Sequence, residues 1–186
     1  MQDTIEARAW VFGDSVDTDN MYPGFAMKLP LEEAAKHVFY DMRPGWTDEV
    51  EAGDIVIAGK NFGIGSSRPV AQLFKALGVT ALVADEFNSL FLRNSVNFGL
   101  PAITIPGVSA AIDDGDRVRL NVREATIEKL DGGGIVLRGS PLPAFVLEIV
   151  AQGGILPKLV ADGYIPSDPT KIHGTPPPPG QEQREA

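Results

Sequence analysis

Gly59-Lys60-Asn61-Phe62-Gly63-Ile64-Gly65-Ser66-Ser67-Arg68-Pro69 is the stretch that decides how this chain reads. An apolar run, Asp54 to Ala58, leads into it, and a helix-like run, Val70 to Leu77, leads out. Strand, glycine-rich turn and helix start, in that order, aim several backbone N–H groups at one spot where the helix dipole favours an anion. Gly63 and Gly65 let the backbone come close to a ligand. Arg68 can grip a carboxylate or phosphate through two parallel hydrogen bonds. Pro69 suits a first helical turn and pushes Arg68 out of helical geometry. These residues describe a binding corner for a small anion.

Working outward, Arg8 to Phe12 reads as a first strand, stopped by Gly13-Asp14. The loop Asp14 to Asn20 carries three carboxylates, Asp14, Asp17 and Asp19, before Pro23-Gly24. Leu31 to Tyr40 has helical spacing, with Glu32 and Glu33 at its positive end. After the corner, the helix beginning at Pro69 stops at Gly78, and Val79 to Ala84 is a buried strand. Asn88 to Asn97 is helical, and Ala102 to Ile105 is another strand. The β-α-β-α-β beat predicts a parallel core with right-handed crossovers. Asp116 to Val122 alternates polar and apolar residues as a half-exposed strand does. Ala125 to Leu130 and Ile135 to Leu137 flank Asp131-Gly132-Gly133-Gly134, a hairpin signal. Pro143 to Gln152 is a last helix. The fold class is α/β: a mostly parallel core sheet flanked by helices, plus a C-terminal β-hairpin region. The domain is read as residues 1–166, and residues 167–186, Pro-rich and charged, as a disordered or extended tail.

The chain has 186 residues, 44% apolar and 22% charged, with a formal net charge of −9. That composition belongs to a globular domain and argues against a nucleic-acid partner. Cysteine is absent, so the chain has no disulfide, no thiolate nucleophile and no thiolates for an iron–sulfur cluster of its own. The polar, acidic start lacks a signal-peptide core, and no run approaches the ~20 apolar residues of a membrane span. A cytoplasmic location with no membrane partner is the expectation.

Other readings of the motifs stand beside the anion site. Gly63 and Gly65 match part of a dinucleotide-binding G-x-G-x-x-G, but Arg68 fills the third position; Asp85, twenty residues past Gly65, imitates the ribose-binding acid. A Walker loop fails for want of Gly-Lys-Ser/Thr. A glycine-rich turn without a ligand is the plain structural reading. Asp17 and Asp19 are spaced like the first two ligands of a calcium loop, without its glycine or distal glutamate, so a structural turn is preferred. His37 reads as a partly buried structural residue and Trp10 as core. His173 falls in the tail. Trp46 suits core or a subunit contact equally. Arg93 and Asn94 suit bracing of the site or plain surface placement.

Taken together, three segments carry a family resemblance. Gly13-Asp14-Ser15-Val16-Asp17-Thr18-Asp19 with Pro23-Gly24 is one, and Gly59 to Arg68 another; Phe91-x-Arg93-Asn94-x-x-Asn97-x-Gly99-Leu100-Pro101 completes the set. In order and spacing they resemble the signatures of the aconitase superfamily's swivelling β/β/α domain, in the form of the free-standing small subunits of isopropylmalate dehydratase and homoaconitase-like enzymes. The resemblance spans about Arg8 to Gly163. It implies a hydro-lyase acting on a 2-hydroxy di- or tricarboxylate, with a [4Fe–4S] cluster carried by a separate large subunit. Carried over residue by residue, Ser66 is the base and Asp19 orients the site. Ser67 and Arg68, beside Gly65, bind a substrate carboxylate.

Two departures bear on substrate and activity. Relatives commonly have Arg-Glu-His-Ala after the two serines, where this chain has Arg68-Pro69-Val70-Ala71. A Tyr-Leu-x-Thr-like specificity segment is replaced by Ala26-Met27-Lys28-Leu29. That replacement suggests either a compact apolar substrate arm or, through Lys28, a third carboxylate. A catalytically silent relative and a Rossmann-type nucleotide module are the alternatives.

Overall fold

The computed structural model describes residues 3–65, 68–132 and 134–167. Its strands are β1 (Thr4–Phe12), β2 (Ile55–Ala58), β3 (Ala81–Ala84), β4 (Ala102–Thr104), β5 (Arg117–Asn121), β6 (Thr126–Lys129) and β7 (Val136–Arg138). Its helices are α1 (Thr18–Met21), α2 (Leu31–Ala35), α3 (Trp46–Glu49), α4 (Val70–Ala76), α5 (Ser89–Asn97), α6 (Val108–Ala111), α7 (Ala144–Ala151) and α8 (Ile155–Ala161). A 3-10 turn covers Gly24–Lys28. No single helix among the described residues is long and apolar enough to cross a membrane. The tail from Asp168 onward lies outside the described residues.

All seven strands form one sheet in the order β4-β3-β2-β1-β5-β6-β7. β1 to β4 pair in parallel, and β5 to β7 add an antiparallel meander. β1 is the joint between the two parts. Its first half, Thr4–Arg8, pairs with β5, and its second half, Ala9–Phe12, with β2. Sequence reading started this strand at Arg8, because the alternation of exposed Thr4 and Glu6 with Ile5 and Ala7 is too short to declare itself without its partner.

The parallel strands advance across the sheet in one direction. With crossovers of one hand, that puts the connecting helices on one face. On this face Phe12, Val56, Ala58, Leu82 and Ala84 pack against Phe39, Trp46, Leu73 and Phe74. On the other, Ile55, Ile57, Val83 and Ile103 pack against Val108, Leu120, Ile127 and Leu147. All four β2 residues are therefore buried, as in a sheet covered on both sides. Trp46 is 1% exposed and meets Trp10, Phe12, Phe39 and Phe74 mostly edge-to-face, so it is core.

The helix expected over Leu31 to Tyr40 ends at Ala35, and irregular turns follow. Packing wins over local propensity there. Phe39 takes φ of 59° and buries itself completely, stacking on Phe12 at 4.1 Å. His37 is left half-buried between the rings of Phe25 and Tyr40. Short helices α3, α6 and α8 also escaped sequence reading. Pro157 in α8 occupies the first turn, where its missing N–H has no helical partner to lose.

Two ionic hubs tie β1 to its surroundings. Buried Asp54 accepts from Trp10 Nε1 at 2.7 Å, Arg8 at 2.7 and 3.2 Å, and the Glu51 amide at 2.9 Å. Arg43 lies over the Trp10 ring at 4.6 Å and forks onto Asp114 at 2.9 and 2.7 Å. The hydrogen bonds from Arg43, aided by the Val11 amide, hold the Asp114 carboxyl below its ordinary value. A lowered carboxylate contributes stability above its unfolded-state pKa and loses that contribution as pH falls through the folded value. Asp114→Asn should therefore cost about 0.5–1 kcal/mol near neutral pH, the range for a half-exposed pair screened by solvent. Denaturant melts across pH should show the gap to wild type closing below about pH 4.

Candidate functional site

Three loops leave the C-terminal ends of β1, β2 and β3, and they are sewn together by main-chain hydrogen bonds. The Ser15 amide donates to Lys60 O, Gly63 to Val16 O, and Thr18 to Ile64 O, each at 2.8 Å. On the other side, Phe62 N donates to Glu86 O at 2.9 Å and Asn88 N to Phe62 O at 2.8 Å. Residues 60–64 thus run as an irregular extra strand between the first and third loops, with isolated bridges Asp17–Ile64 and Phe62–Phe87.

The glycines are there because this threading leaves no room. A Cβ on Gly59 would fall 1.9 Å from Asp14 Oδ1, which accepts the Lys60 amide at 2.7 Å. Gly63, at φ of 84°, lies against the Phe91 ring, where a Cβ would come within 2.2 Å of Cγ. Phe91 sits in turn with Phe62 and Phe87 in a buried aromatic trio. Close approach between protein segments explains Gly59 and Gly63 without a ligand. Gly65, at φ of 100°, faces Thr18 and leads directly into Ser66.

The acidic loop divides its work. Asp14 holds the Lys60 amide, and Asp17 caps α1 by accepting from the Asn20 amide at 2.7 Å. Asp19 alone projects toward Arg68, 3.0 Å from its NH2 group. Arg68 NH1 donates to the carbonyl of Tyr22. The guanidinium is largely sheltered while Asp19 stays 62% exposed, so Arg68 is pinned across the first loop at the mouth of the corner. Ser66 and Ser67, the expected base and carboxylate ligand, lie outside the described residues. α4 is short, and Pro69, at ψ of 52°, forms its cap position. The Tyr22 carbonyl and the buried Thr18 went unnoticed in the sequence, since a backbone acceptor carries no residue signature.

The segment read as setting specificity, Ala26-Met27-Lys28-Leu29, spans the 3-10 turn and its C-terminal cap. Ala26 is sealed in the core, whereas Met27, Lys28 and Leu29 face outward. Arg93 is exposed on α5, whose start is capped by Asn88. Asp85 is not free for a ribose: its two oxygens accept from the Ser109 amide and hydroxyl at 3.3 and 2.7 Å, fastening α6. With the parallel strands also lacking a reversal of order, the dinucleotide reading has no support. A [4Fe–4S] cluster is held by thiolates. The sequence has no cysteine, and among the described residues no group of three or more His, Asp or Glu side chains is placed to hold a metal ion. The residues of this chain do not fit such a group. Gly63→Ala should force the Phe91 ring aside in a left-handed backbone and cost about 2–4 kcal/mol in a denaturant melt.

Comparisons with known proteins agree with this geometry. The model of the aconitase C-terminal domain matches residues 15–107, which include all three loops. The 3-isopropylmalate dehydratase small subunit 1 of Methanopyrus kandleri is 42% identical over 165 residues, covering 88% of this chain and 96% of the relative. The isopropylmalate/citramalate isomerase small subunit of Methanocaldococcus jannaschii is 39% identical, covering 86% and 95%. A methanogen homoaconitase small subunit from Methanothermobacter thermautotrophicus is 40% identical, covering 84% and 91%. The crystal structure of a 3-isopropylmalate dehydratase from Methanocaldococcus jannaschii superposes with a TM-score of 0.81 at 31% identity, covering 87% of this chain and 96% of that one. Sequence, fold and the threaded corner converge: the chain belongs to the aconitase C-terminal domain family, among the small subunits of hydro-lyases that work with a large subunit.

Proposed function

We propose that this chain supplies the base and part of the carboxylate clamp to a hydro-lyase that interconverts two isomers of a 2-hydroxy dicarboxylate. The observation that carries the reading is Arg68, pinned by Asp19 and the Tyr22 carbonyl at the end of the Gly65-Ser66-Ser67 segment. A guanidinium fixed in this way is preorganised for bidentate capture of a carboxylate.

In the proposed reaction the substrate carboxylate rests on Arg68 and Ser67. The Ser66 hydroxyl, deprotonated, takes a proton from the carbon next to that carboxylate. The electron pair left behind forms the C=C bond as hydroxide leaves the neighbouring carbon, and readdition of water in the other sense yields the isomer. Asp19 keeps Arg68 from swinging into solvent. A serine alkoxide is reachable near neutral pH only where donors and positive charge lower its cost. An iron–sulfur cluster carried by the large subunit would supply the Lewis acid that activates the leaving hydroxyl, as this chain has no thiolate to hold one.

Met27 and Leu29 are 48% and 38% exposed beside the corner, which favours a substrate with a small apolar arm. Alkyl-malates are therefore preferred over a tricarboxylate reaching Lys28. Co-purification with the cluster-bearing partner, followed by kinetics on alkyl-malates and homocitrate-like acids, tests this. The alkyl-malates should have kcat/KM at least about tenfold higher, a discrimination of the size apolar arms provide. Equal rates on all the acids would remove the assignment of the segment. Ser66→Ala should assemble normally and lose at least about 100-fold in kcat. Retained turnover would remove Ser66 as the base, and a folded complex silent on every acid would favour an inactive relative.

A further inference from the structure

Six of the twelve large apolar side chains left exposed among the described residues fall within residues 25–42: Phe25, Met27, Leu29, Leu31, Tyr40 and Met42. The other six are spread over α5, the β7 hairpin, α7, α8 and the stretch after α8. Three rings of the 25–42 segment form a cluster at the surface. Phe25, 55% exposed, meets His37 edge-to-face at 5.1 Å and Tyr40, 52% exposed, at 5.4 Å; His37 meets Tyr40 at 5.9 Å. The turn that buries Phe39 puts them there. With Phe39 drawn in against Phe12, its neighbour Tyr40, whose amide donates to His37 O at 3.2 Å, is left facing outward. An exposed apolar cluster of this kind marks a contact with another molecule. Aromatic and methionine side chains among exposed charged ones, here Lys28, Glu32, Lys36 and Asp41, have the composition of an interface centre with its polar rim.

Continuity with the corner says which molecule. Tyr22, whose carbonyl accepts from Arg68, is three residues before Phe25, and the Phe39 amide donates to Met21 O at 3.4 Å. The cluster is therefore tied to the loop that pins Arg68. A carboxylate held on Arg68 has to meet an iron–sulfur cluster that this chain has no thiolate to carry, so the large subunit must close over the corner and lie against the segment beside it. We infer that the Phe25–His37–Tyr40 cluster, flanked in the chain by Leu31 and Met42, is a docking surface for the large subunit. The inference rests on the proposed sharing of the site between two subunits. Rings already packed on one another lose little freedom on docking. Tyrosine is also among the residues that carry most of the energy when buried at an interface.

The test titrates the full chain with the large subunit, separated from the co-purified complex, in the absence of substrate. A double variant, Phe25→Ser with Tyr40→Ser, should raise Kd at least about 30-fold, the size of an interface hot spot. Its kcat at saturating large subunit should stay within about threefold of wild type. Phe145→Ser, which removes an equally exposed ring from α7, should leave Kd within about twofold. Amide exchange on the wild-type chain needs no variant to fold: residues 36–42 should exchange at least about tenfold more slowly in the complex, with α7 unchanged. Wild-type Kd in the double variant, an equal loss in Phe145→Ser, or no protection of residues 36–42 would overturn the inference. So would a wild-type chain that binds no large subunit, or a double variant that changes only the association of this chain with its own copies. A complex that forms through these rings yet acts on none of the acids would sink the functional reading alone, since neither binding nor exchange depends on turnover.

Discussion

The functional end of the molecule depends on one constraint: residues 60–64 must thread between the loops that follow β1 and β3, bonding to both. Segments that close leave no volume for side chains at the crossing points. Gly59 makes room for the Asp14 carboxylate and Gly63 for the Phe91 ring. Once threaded, the segment cannot shift along its neighbours without breaking several main-chain bonds at once. The backbone of residues 60–64 is hydrogen-bonded on two sides, which fixes this segment relative to both neighbouring loops.

Beneath the corner, the sheet supports it by making β1 serve two partners. The strand leaves its antiparallel neighbour β5 at Arg8 and joins β2 from Ala9 onward. At that handover Arg8, Trp10 and the Glu51 amide share the buried Asp54 carboxylate, and Arg43 clasps Asp114 above the same tryptophan ring. These contacts fix the direction in which β1 delivers the acidic loop. Because buried polar groups are expensive to leave unpaired, the network specifies a single arrangement rather than adding much net stability.

The acidic loop shows how little residue type says without geometry. Its three aspartates are chemically alike, yet two hold backbone amides and one holds Arg68. Arg68 and the carboxylate of Asp19 thus meet at the edge of the corner.

Much of this was legible in the residues. The β-α-β-α-β beat is local periodicity and needs no partner to be seen; the glycine corner with Arg68 and the hairpin around Asp131 were read from residue type and spacing, and Asp19 entered as a candidate through the family resemblance. What escaped was non-local. Phe39 broke the helix expected to reach Tyr40 because Phe12 and Trp46 offered it a buried stack. Asp85 looked free until Ser109 of a helix 24 residues on was seen to take both its oxygens. Thr18 looked like an ordinary loop threonine until folding placed it beside Gly65. The sequence by itself determined the fold class and the family, since those rest on residue types and short periodicities along the chain. Only the tertiary structure decided that Asp14 is structural and that Gly59 and Gly63 are steric, since each depends on a contact between segments far apart in sequence.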